Sequence, residues 1–321
     1  MAALENLEPY PLEETESPNY WAVVLPILLF GILCAHFFLT WRERWRTSTS
    51  PAVGIALAPL TVSFRVPTPT AAPTPLPTTA PPPGSQRVSQ VDHMVQVSVP
   101  AGDFQMGRGA SDGELEDDQP RHPVWLEGFW IGLTPVTNAA YAQCEAAGVC
   151  EPPCSAETNP HYYDPAYASH PVVYVTWQAA QDYCHWAGGR LPAEAEWERA
   201  AGGDGWREYA WGDADPAENL ANLGGVRDTT SAVGSFPDGA SPFGVLDMGG
   251  NVREWMADWY APDYYQVSPA ANPPGPDLGT ERVLRGASWN DPWYYAKLTR
   301  RYAHAPESAG ANRGFRCVFD E

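Results

Sequence analysis

The sequence predicts an irregular, loop-rich α+β domain that is preceded by a transmembrane helix. From about Val95 onward, short apolar runs are separated by many Gly, Pro and Asn residues, a texture typical of short strands and helices joined by long loops. Before that point the chain has one long uncharged run and one Pro/Thr-rich run. The 321 residues therefore supply one sizeable core and several segments that cannot contribute to it.

The uncharged run WAVVLPILLFGILCAHFFL (21–39) predicts the transmembrane helix. It is about long enough to cross a bilayer, and Tyr20 and Trp41 lie where interfacial aromatic residues are expected. We assign the span to residues 21–41. A cleaved signal peptide is the alternative, but the tail at 1–20 is acidic rather than basic, and no small-residue cleavage site follows closely.

Two features give opposite predictions for the orientation of this span. Segment 42–65 begins just after Trp41 with RERWR, and the positive-inside rule alone would place the rest of the chain in the cytoplasm. The five cysteines of the globular part and the Pro/Thr stalk instead favour an exported domain, and we expect a single-pass protein with an extracytoplasmic domain. A second crossing by the weakly apolar run 47–64 would reconcile the two features, although that run contains two prolines and several hydroxyls.

Residues 66–91 are predicted to form a linker, because VPTPTAAPTPLPTTAPPPGS favours an extended polyproline-II spacer. The globular domain is assigned to residues 92–321. Its first part, 95–107, alternates like a strand that turns at Ala101 and Gly102, and 124–132 has the pattern of a second strand. Helices are predicted over 137–148, 176–189 and 192–203, because each has an N-terminal Thr or Pro and a terminating Gly.

The rest of the domain is rich in Trp, Tyr, Asn and Gly but has little periodicity. A long irregular region in a compact domain is typically functional, or is held by ions and cross-links. The net charge of −20 argues against nucleic acid as a partner, since binding phosphates requires a basic face. Most of this charge is interpreted as a solvated surface.

Several spaced motifs resemble the formylglycine-generating enzyme, or sulfatase-modifying factor, family. The resemblance covers roughly 94–318 and rests on PAGDFQMG, FWIGLTPVTNAAY, GGRLPAEAEWERAA, DMGGNVREW, RVLRGASW and NRGFRCV, in that order. It implies the family's fold, which is an irregular variant of the C-type-lectin fold. It also implies an oxidase that converts a cysteine of a sulfatase to formylglycine, using oxygen and a copper ion held by two thiolates.

Alignment of RGASW with the family motif places those two thiolates at Asp291 and Ala296. A carboxylate is a hard ligand and alanine is no ligand, whereas Cu(I) is selected by soft sulfur. We therefore expect no copper and no formylglycine formation. Ser288 of the motif is retained, and the family's distal arginine is His304 here.

The resemblance also implies a disulfide between Cys184 and Cys317, which would join the second helix to the C-terminal strand. A relocated redox pair of thiols is the alternative. Among Cys144, Cys150 and Cys154, the resemblance favours a Cys144–Cys150 bridge, and a metal site made by the three sulfurs is the alternative. Cys154 would then be left over, which suggests an intermolecular disulfide.

DMGGNVREW resembles a calcium loop of the family. Carried over by position, its ligands are Asp247, the carbonyls of Gly250 and Val252, and Glu254, which are hard oxygen donors of the kind that calcium binds. A second site would begin at Asn222 and Leu223, with Asp228 as the uncertain acidic partner. The alternative is that these carboxylates cap turns. Calcium in either site would be structural, because it would bind only the native state.

Three functions fit these observations. The first is a membrane-tethered binding or scaffold module for a protein, peptide or glycan, with Trp289, Trp293, Tyr294 and Tyr295 as its contact surface; the alternative is that about half of these side chains belong to the core. The second is an oxidoreductase of the formylglycine-generating type, or an enzyme of altered chemistry that uses Asp291 or His304. The third is a diversified binding protein of a retroelement system.

Overall fold

The computed structural model describes residues 80–109, 116–154 and 161–321. The strands there are β1 (Gln86–Val88), β2 (Val95–Val99), β3 (Gly102–Met106), β4 (His122–Leu126), β5 (Phe129–Gly132), β6 (Arg253–Trp259), β7 (Arg282–Arg285), β8 (Arg301–His304), β9 (Arg313–Gly314) and β10 (Val318–Asp320). The α-helices there are α1 (Asn138–Ala146), α2 (Trp177–Trp186) and α3 (Glu194–Gly202). The domain is thus α+β, with long irregular connections.

The transmembrane segment predicted at 21–41 lies outside the described residues. Of the helices in the described ranges, none combines the length and the apolar character that a bilayer crossing requires.

The strands form three sheets. One has the order β1-β2-β5-β10, β3 and β4 form a hairpin-like pair, and the third has the order β8-β7-β6-β9. In the third sheet β6 pairs in parallel with β9 and antiparallel with β7, which in turn pairs antiparallel with β8. This third sheet carries the residues that the sequence singled out around 285–296.

One strand prediction and one segment boundary need correction. The run 124–132 is not one strand, because the chain leaves β4 at Leu126 and enters β5 at Phe129, and the two strands belong to different sheets. β4 alternates in burial, whereas all of β5 is buried between β2 and β10. A continuous apolar pattern does not reveal such a change of sheet. In addition, β1 lies inside the segment assigned to the linker, 66–91, and pairs with β2.

The three helices lie where the sequence predicts them. The hydroxyls of Thr137 and Thr176 accept hydrogen bonds from Ala140 N at 3.1 Å and Ala179 N at 3.2 Å, and so cap α1 and α2. All nine residues of α3 are buried, including its charged ones. This helix is the central element of the domain rather than a surface helix.

A buried charge network joins α3 to the third sheet. Arg285 donates to Glu194 at 2.8 Å and to Glu198 at 2.6 Å, and Arg301 donates twice to Glu194 at 2.7 and 2.9 Å. Burial opposes the charge on Glu194, but Arg301 and Arg285 outweigh it and lower the pKa of that carboxyl. Because buried ion pairs tolerate no unpaired member, this network fixes β7 and β8 on α3.

Candidate functional site

The segment 285–296 leaves β7 and ends in a 3₁₀ turn at Trp293–Ala296. Gly286 has φ +77°, and a Cβ there would lie 3.1 Å from the carbonyl oxygen of Met248. A glycine is therefore required for the chain to leave the strand in this direction. The following residues, Ala287 and Ser288, are fully buried.

Asp291 is held in an ion pair that the sequence did not predict. Its Oδ2 accepts hydrogen bonds from Arg253 Nε at 2.9 Å and from the Ser288 hydroxyl at 2.6 Å, and its Oδ1 accepts from the terminal nitrogen of Arg253. The backbone N–H of Ser288 also donates to Oδ2, at 2.9 Å. Both carboxylate oxygens are occupied, and the Asp291 side chain is only 9% exposed.

Ala296, at the second thiolate position, is buried in a small apolar cluster. Its neighbours in that cluster include Tyr209, Ala221, Leu223 and Ala287. A methyl group in this environment supplies neither a donor nor a ligand. Of the two positions that hold copper in the family, one is therefore a carboxylate paired with an arginine, and the other is a methyl group packed in an apolar cluster.

His304, the third altered position, is half-buried at the end of β8. Burial lowers the pKa of His304, and the charges of Arg313 and Arg253 lower it further against a small opposing effect of Glu281. The imidazole is therefore neutral at neutral pH. Because Arg313 and Arg253 are nearby, His304 lies in a positively charged part of the domain.

The four aromatic residues predicted as a contact surface divide into two pairs. Trp293 is 57% exposed and Tyr294 is 46% exposed. Trp289 is half-buried and donates from its indole nitrogen to the carbonyl of Ala311 at 3.1 Å, and Tyr295 stacks on Tyr302 with ring centroids 6.0 Å apart. Two of the four are thus available at the surface, and two are anchored.

The two carboxylates predicted to bind calcium differ in whether their oxygens are available. Asp247, at φ +61°, accepts from Gly234 N at 2.7 Å through Oδ2, while its buried Oδ1 has no hydrogen-bond partner among the described residues. Burial raises the pKa of Asp247 to about 6. Glu254 is already occupied, since Arg316 donates to both of its oxygens at 2.7 Å and Trp197 donates to one at 2.9 Å.

The peptide oxygens of this loop are also partly occupied. The carbonyl of Gly250 accepts from Val252 N at 3.0 Å. At the second predicted site, Asn222 is buried and its side-chain oxygen has no partner among the described residues, and Leu223 is buried as well. Asp228 is exposed. In the ranges that the structure describes, no cluster of three or more His, Cys, Asp or Glu residues is arranged to hold a metal ion.

Both predicted disulfides are confirmed. Cys144 is bonded to Cys150, and Cys184 is bonded to Cys317. Cys154 lies outside both bridges and is exposed. Neither a relocated thiol pair nor a three-sulfur metal site is therefore present among these five cysteines.

Sequence reasoning missed four residues that shape the site: Arg253, Arg300, Tyr302 and Arg313. Arg253 Cζ lies 3.9 Å from the ring centroid of Tyr302, and Arg300 Cζ lies 4.2 Å from that of Tyr295. Arg253 is part of DMGGNVREW, but nothing in that motif indicates that its partner is 38 residues away. One sequence signal could have indicated this pair. Position 291 is an aspartate, and a buried aspartate requires a nearby cation.

The family described as the sulfatase-modifying factor enzyme 1-like domain matches residues 79–321. The chain is 36% identical over 284 residues to the formylglycine-generating enzyme of Streptomyces coelicolor, an alignment that covers 70% of this chain and 89% of that enzyme.

A second relative matches this chain over only part of its own length. The serine/threonine-protein kinase pkn1 of Chlamydia caviae is 35% identical over 234 residues, which are 66% of this chain and 36% of that protein. The chain therefore spans little more than a third of this relative. Among solved structures, PvdO from Pseudomonas aeruginosa is 28% identical with a TM-score of 0.63, covering 75% of this chain and all of PvdO. The fold prediction is thereby confirmed for the domain.

Proposed function

Because the chain belongs to the family of sulfatase-modifying factor enzyme 1-like domains, we propose that it is a non-catalytic binding module built on the family's oxidase site. The observation that carries the proposal is the Asp291–Arg253 ion pair, with buried Ala296 at the second thiolate position. Soft sulfur ligands are what select Cu(I). Here they are replaced by a carboxylate that is paired with Arg253 and by the methyl group of Ala296.

The proposed partner is a protein, peptide or glycan that contacts the domain beside the altered site. Support comes from Trp293 and Tyr294, which project from the same 3₁₀ turn that contains Ala296. Exposed aromatic side chains next to each other are good anchors in interfaces. We further propose that residues 21–41 tether the module to a membrane and that it works outside the cytoplasm, where its two disulfides are stable.

Calcium remains part of the proposal as a structural ion. Asp247 and Asn222 each keep a buried oxygen without a hydrogen-bond partner among the described residues, and hard oxygens of this kind are suited to calcium. Glu254 does not fit as a ligand, because the Arg316 guanidinium occupies its oxygens. If calcium binds, EDTA should lower the melting temperature, and calcium should restore it. An unchanged melting curve would remove calcium from the proposal.

A second candidate function is an enzyme of altered chemistry. His304 favours it, because a half-buried imidazole with a lowered pKa can accept a proton at neutral pH. Asp291 does not favour it, because a carboxylate engaged by Arg253 and Ser288 has no free oxygen for a substrate.

The decisive experiment offers the full-length chain a sulfatase-type cysteine peptide together with Cu(I) and oxygen. We expect no aldehyde product by mass spectrometry, and no copper retained in competition with a Cu(I) chelator. The matched variant Asp291→Cys/Ala296→Cys should retain copper if the site is otherwise intact. Copper-dependent aldehyde formation by the unaltered chain would contradict the proposal.

A further inference from the structure

The third sheet presents a positively charged face in a chain whose net charge is −20. Successive residues of a strand point to opposite faces, so Tyr302 and His304 share one face of β8, and Arg300, just before β8, lies over the Tyr302 ring. Tyr302 pairs with Leu284, and Leu284 pairs with Trp255, so the same side of the sheet continues to β6. Leu284 and Trp255 are themselves buried, and the polar residues around them form the accessible part of this side. Arg253, two residues before Trp255, lies on it too, as does Arg313, which pairs with Arg253.

Two arginines on this face have no acidic partner among the described residues. Arg300 lies over the rings of Tyr295 and Tyr302, at 4.2 and 5.7 Å from their centroids, and its buried Nε makes no hydrogen bond there. Arg313 donates to the Ser308 hydroxyl, and its buried Nε is also without a partner in the described ranges.

The neighbouring charges do not neutralise these two guanidinium groups. Asp291 is fully engaged by Arg253, so this pair contributes no net charge. Burial and the charge of Arg253 lower the pKa of Arg313, as expected for a cation beside another cation. Among the described residues, Glu281 is the acidic group whose charge raises the pKa of His304, and its effect is smaller than those of burial and the two arginines. An anion would relieve this repulsion.

We propose that this face, with Arg300 and Arg313 at its centre, binds an acidic peptide segment of a protein partner. Guanidinium groups match carboxylates in geometry and charge, and arginines stacked on aromatic rings are already ordered for such contacts. Trp293 and Tyr294 adjoin the face through Tyr295, whose ring centroid is 4.7 Å from that of Tyr294. They offer an apolar anchor for a hydrophobic residue of the same peptide. The inference rests on the proposed function and names the chemistry of its partner.

The test is a titration of the full-length chain into a short fluorescein-labelled peptide of Asp and Glu residues with one Phe. The comparison peptide carries Asn and Gln instead. We expect the acidic peptide to bind, the amide peptide to bind at least about tenfold more weakly, and added NaCl to weaken the acidic complex. Arg300→Gln and Arg313→Gln should each weaken it by about tenfold or more, the range for losing a charged hydrogen bond.

Arg121→Gln is the matched control, because Arg121 also stacks on an aromatic ring, Trp206, at 5.0 Å and is exposed elsewhere on the domain. Its affinity for the acidic peptide should equal that of the unaltered chain. In case the Arg300 or Arg313 variants do not fold, the pKa of His304 is followed by NMR in the unaltered chain. It should rise when the acidic peptide binds, because the added negative charge favours the imidazolium.

Equal affinity for the two peptides, or full affinity in both arginine variants, would overturn the inference. Binding of chondroitin sulfate without binding of the acidic peptide would also overturn it. If the amide peptide binds as well as the acidic one, and Trp293→Ser weakens both complexes, the binding-module proposal stands while the acidic-peptide inference fails. Turnover of the cysteine peptide would instead contradict the proposed function.

Discussion

At the scale of single residues, the substitution at 291 exchanges a metal ligand of the family for a structural ion pair. Asp291 closes the turn through Ser288 and attaches it to β6 through Arg253. The side chains of Asp291 and Arg253 are 9% and 14% exposed. Their interaction is therefore only weakly screened by solvent, and removing one partner leaves a mostly buried charge.

Asp291→Ala should destabilise the domain by about 3 kcal/mol, the range for breaking a buried pair on one side. Urea unfolding of the single and double variants measures this loss. Arg253→Leu/Asp291→Ala should recover most of it, because no charge is then left without a partner. A double variant as unstable as the sum of the two single variants would show that the pair is not coupled.

Asp258 should make the stability of the domain fall as pH rises. Its Oδ2 accepts from the backbone of Glu194 at 2.8 Å. Burial raises the pKa of Asp258 to about 8, and the nearby charges of Glu194 and Glu196 add to this effect. Above about pH 4 the Asp258 carboxyl is therefore still protonated in the native state, whereas in the unfolded state it has lost its proton. The contribution of Asp258 is full below that pH and is lost as pH rises through 8.

Asp258→Asn should remove this dependence, because the amide keeps the acceptor and does not titrate. The melting temperature of the unaltered chain should fall relative to that of Asp258→Asn between about pH 4 and 8, the window that these two pKa values set. Asp103→Asn, an exposed carboxylate in β3, is the control and should show no such relative change. If the difference in melting temperature between Asp258→Asn and the unaltered chain stays constant with pH, the raised pKa of Asp258 is contradicted.

At the scale of elements, short helices and strands are held together by cross-links of unequal span. Cys184–Cys317 joins α2 to the residue before β10 across 133 positions, whereas Cys144–Cys150 spans 6 at the end of α1. All four cysteines lie in one buried cluster. Both bridges therefore stabilise the same part of the core, and they differ mainly in the loop that each closes.

Replacing Cys184 and Cys317 together by Ala should lower the free energy of unfolding by about 5 kcal/mol, and replacing Cys144 and Cys150 by about 2 kcal/mol. These values follow from the entropy of loop closure in the unfolded chain, which grows with loop length. Urea unfolding of the two double variants measures the difference. Equal losses would mean that local packing, rather than loop closure, determines the contribution of each bridge.

At the scale of the whole molecule, charge is distributed unevenly. The chain carries 39 acidic and 19 basic residues, yet Arg253 and Arg313 pair in the third sheet, and Arg300 lies beside them over the Tyr302 ring. An acidic surface keeps the domain soluble and repels acidic partners except at such a face. This unevenness supports a directed contact beside the altered site.

The proposed topology predicts which side of a membrane carries the domain. In spheroplasts of a bacterial expression host, protease added outside should digest residues 92–321, and the chain should stay in the membrane fraction until detergent is added. A cytoplasmic reporter protein serves as the integrity control. Protection of the domain in intact spheroplasts would favour the cytoplasmic orientation that the basic residues after the span indicate.

The sequence by itself determined the three helices and, through its spaced motifs, the family, and the resemblance to that family implied the two disulfides that the structure contains. Spaced motifs and Thr or Pro helix starts are local signals, and they need no knowledge of distant contacts. The sequence also determined that the two thiolate positions are occupied by Asp291 and Ala296, since that is a matter of residue identity.

Only the tertiary structure decided what those residues do. The partner of Asp291 is 38 positions away, Glu254 is paired with Arg316 across 62 positions, and the run 124–132 changes sheet at Gly128. The face shared by Arg300 and Arg313 exists because β8, β7, β6 and β9 are neighbours in space. Long-range pairing depends on how many weak contacts are satisfied at once, and local patterns do not contain that information.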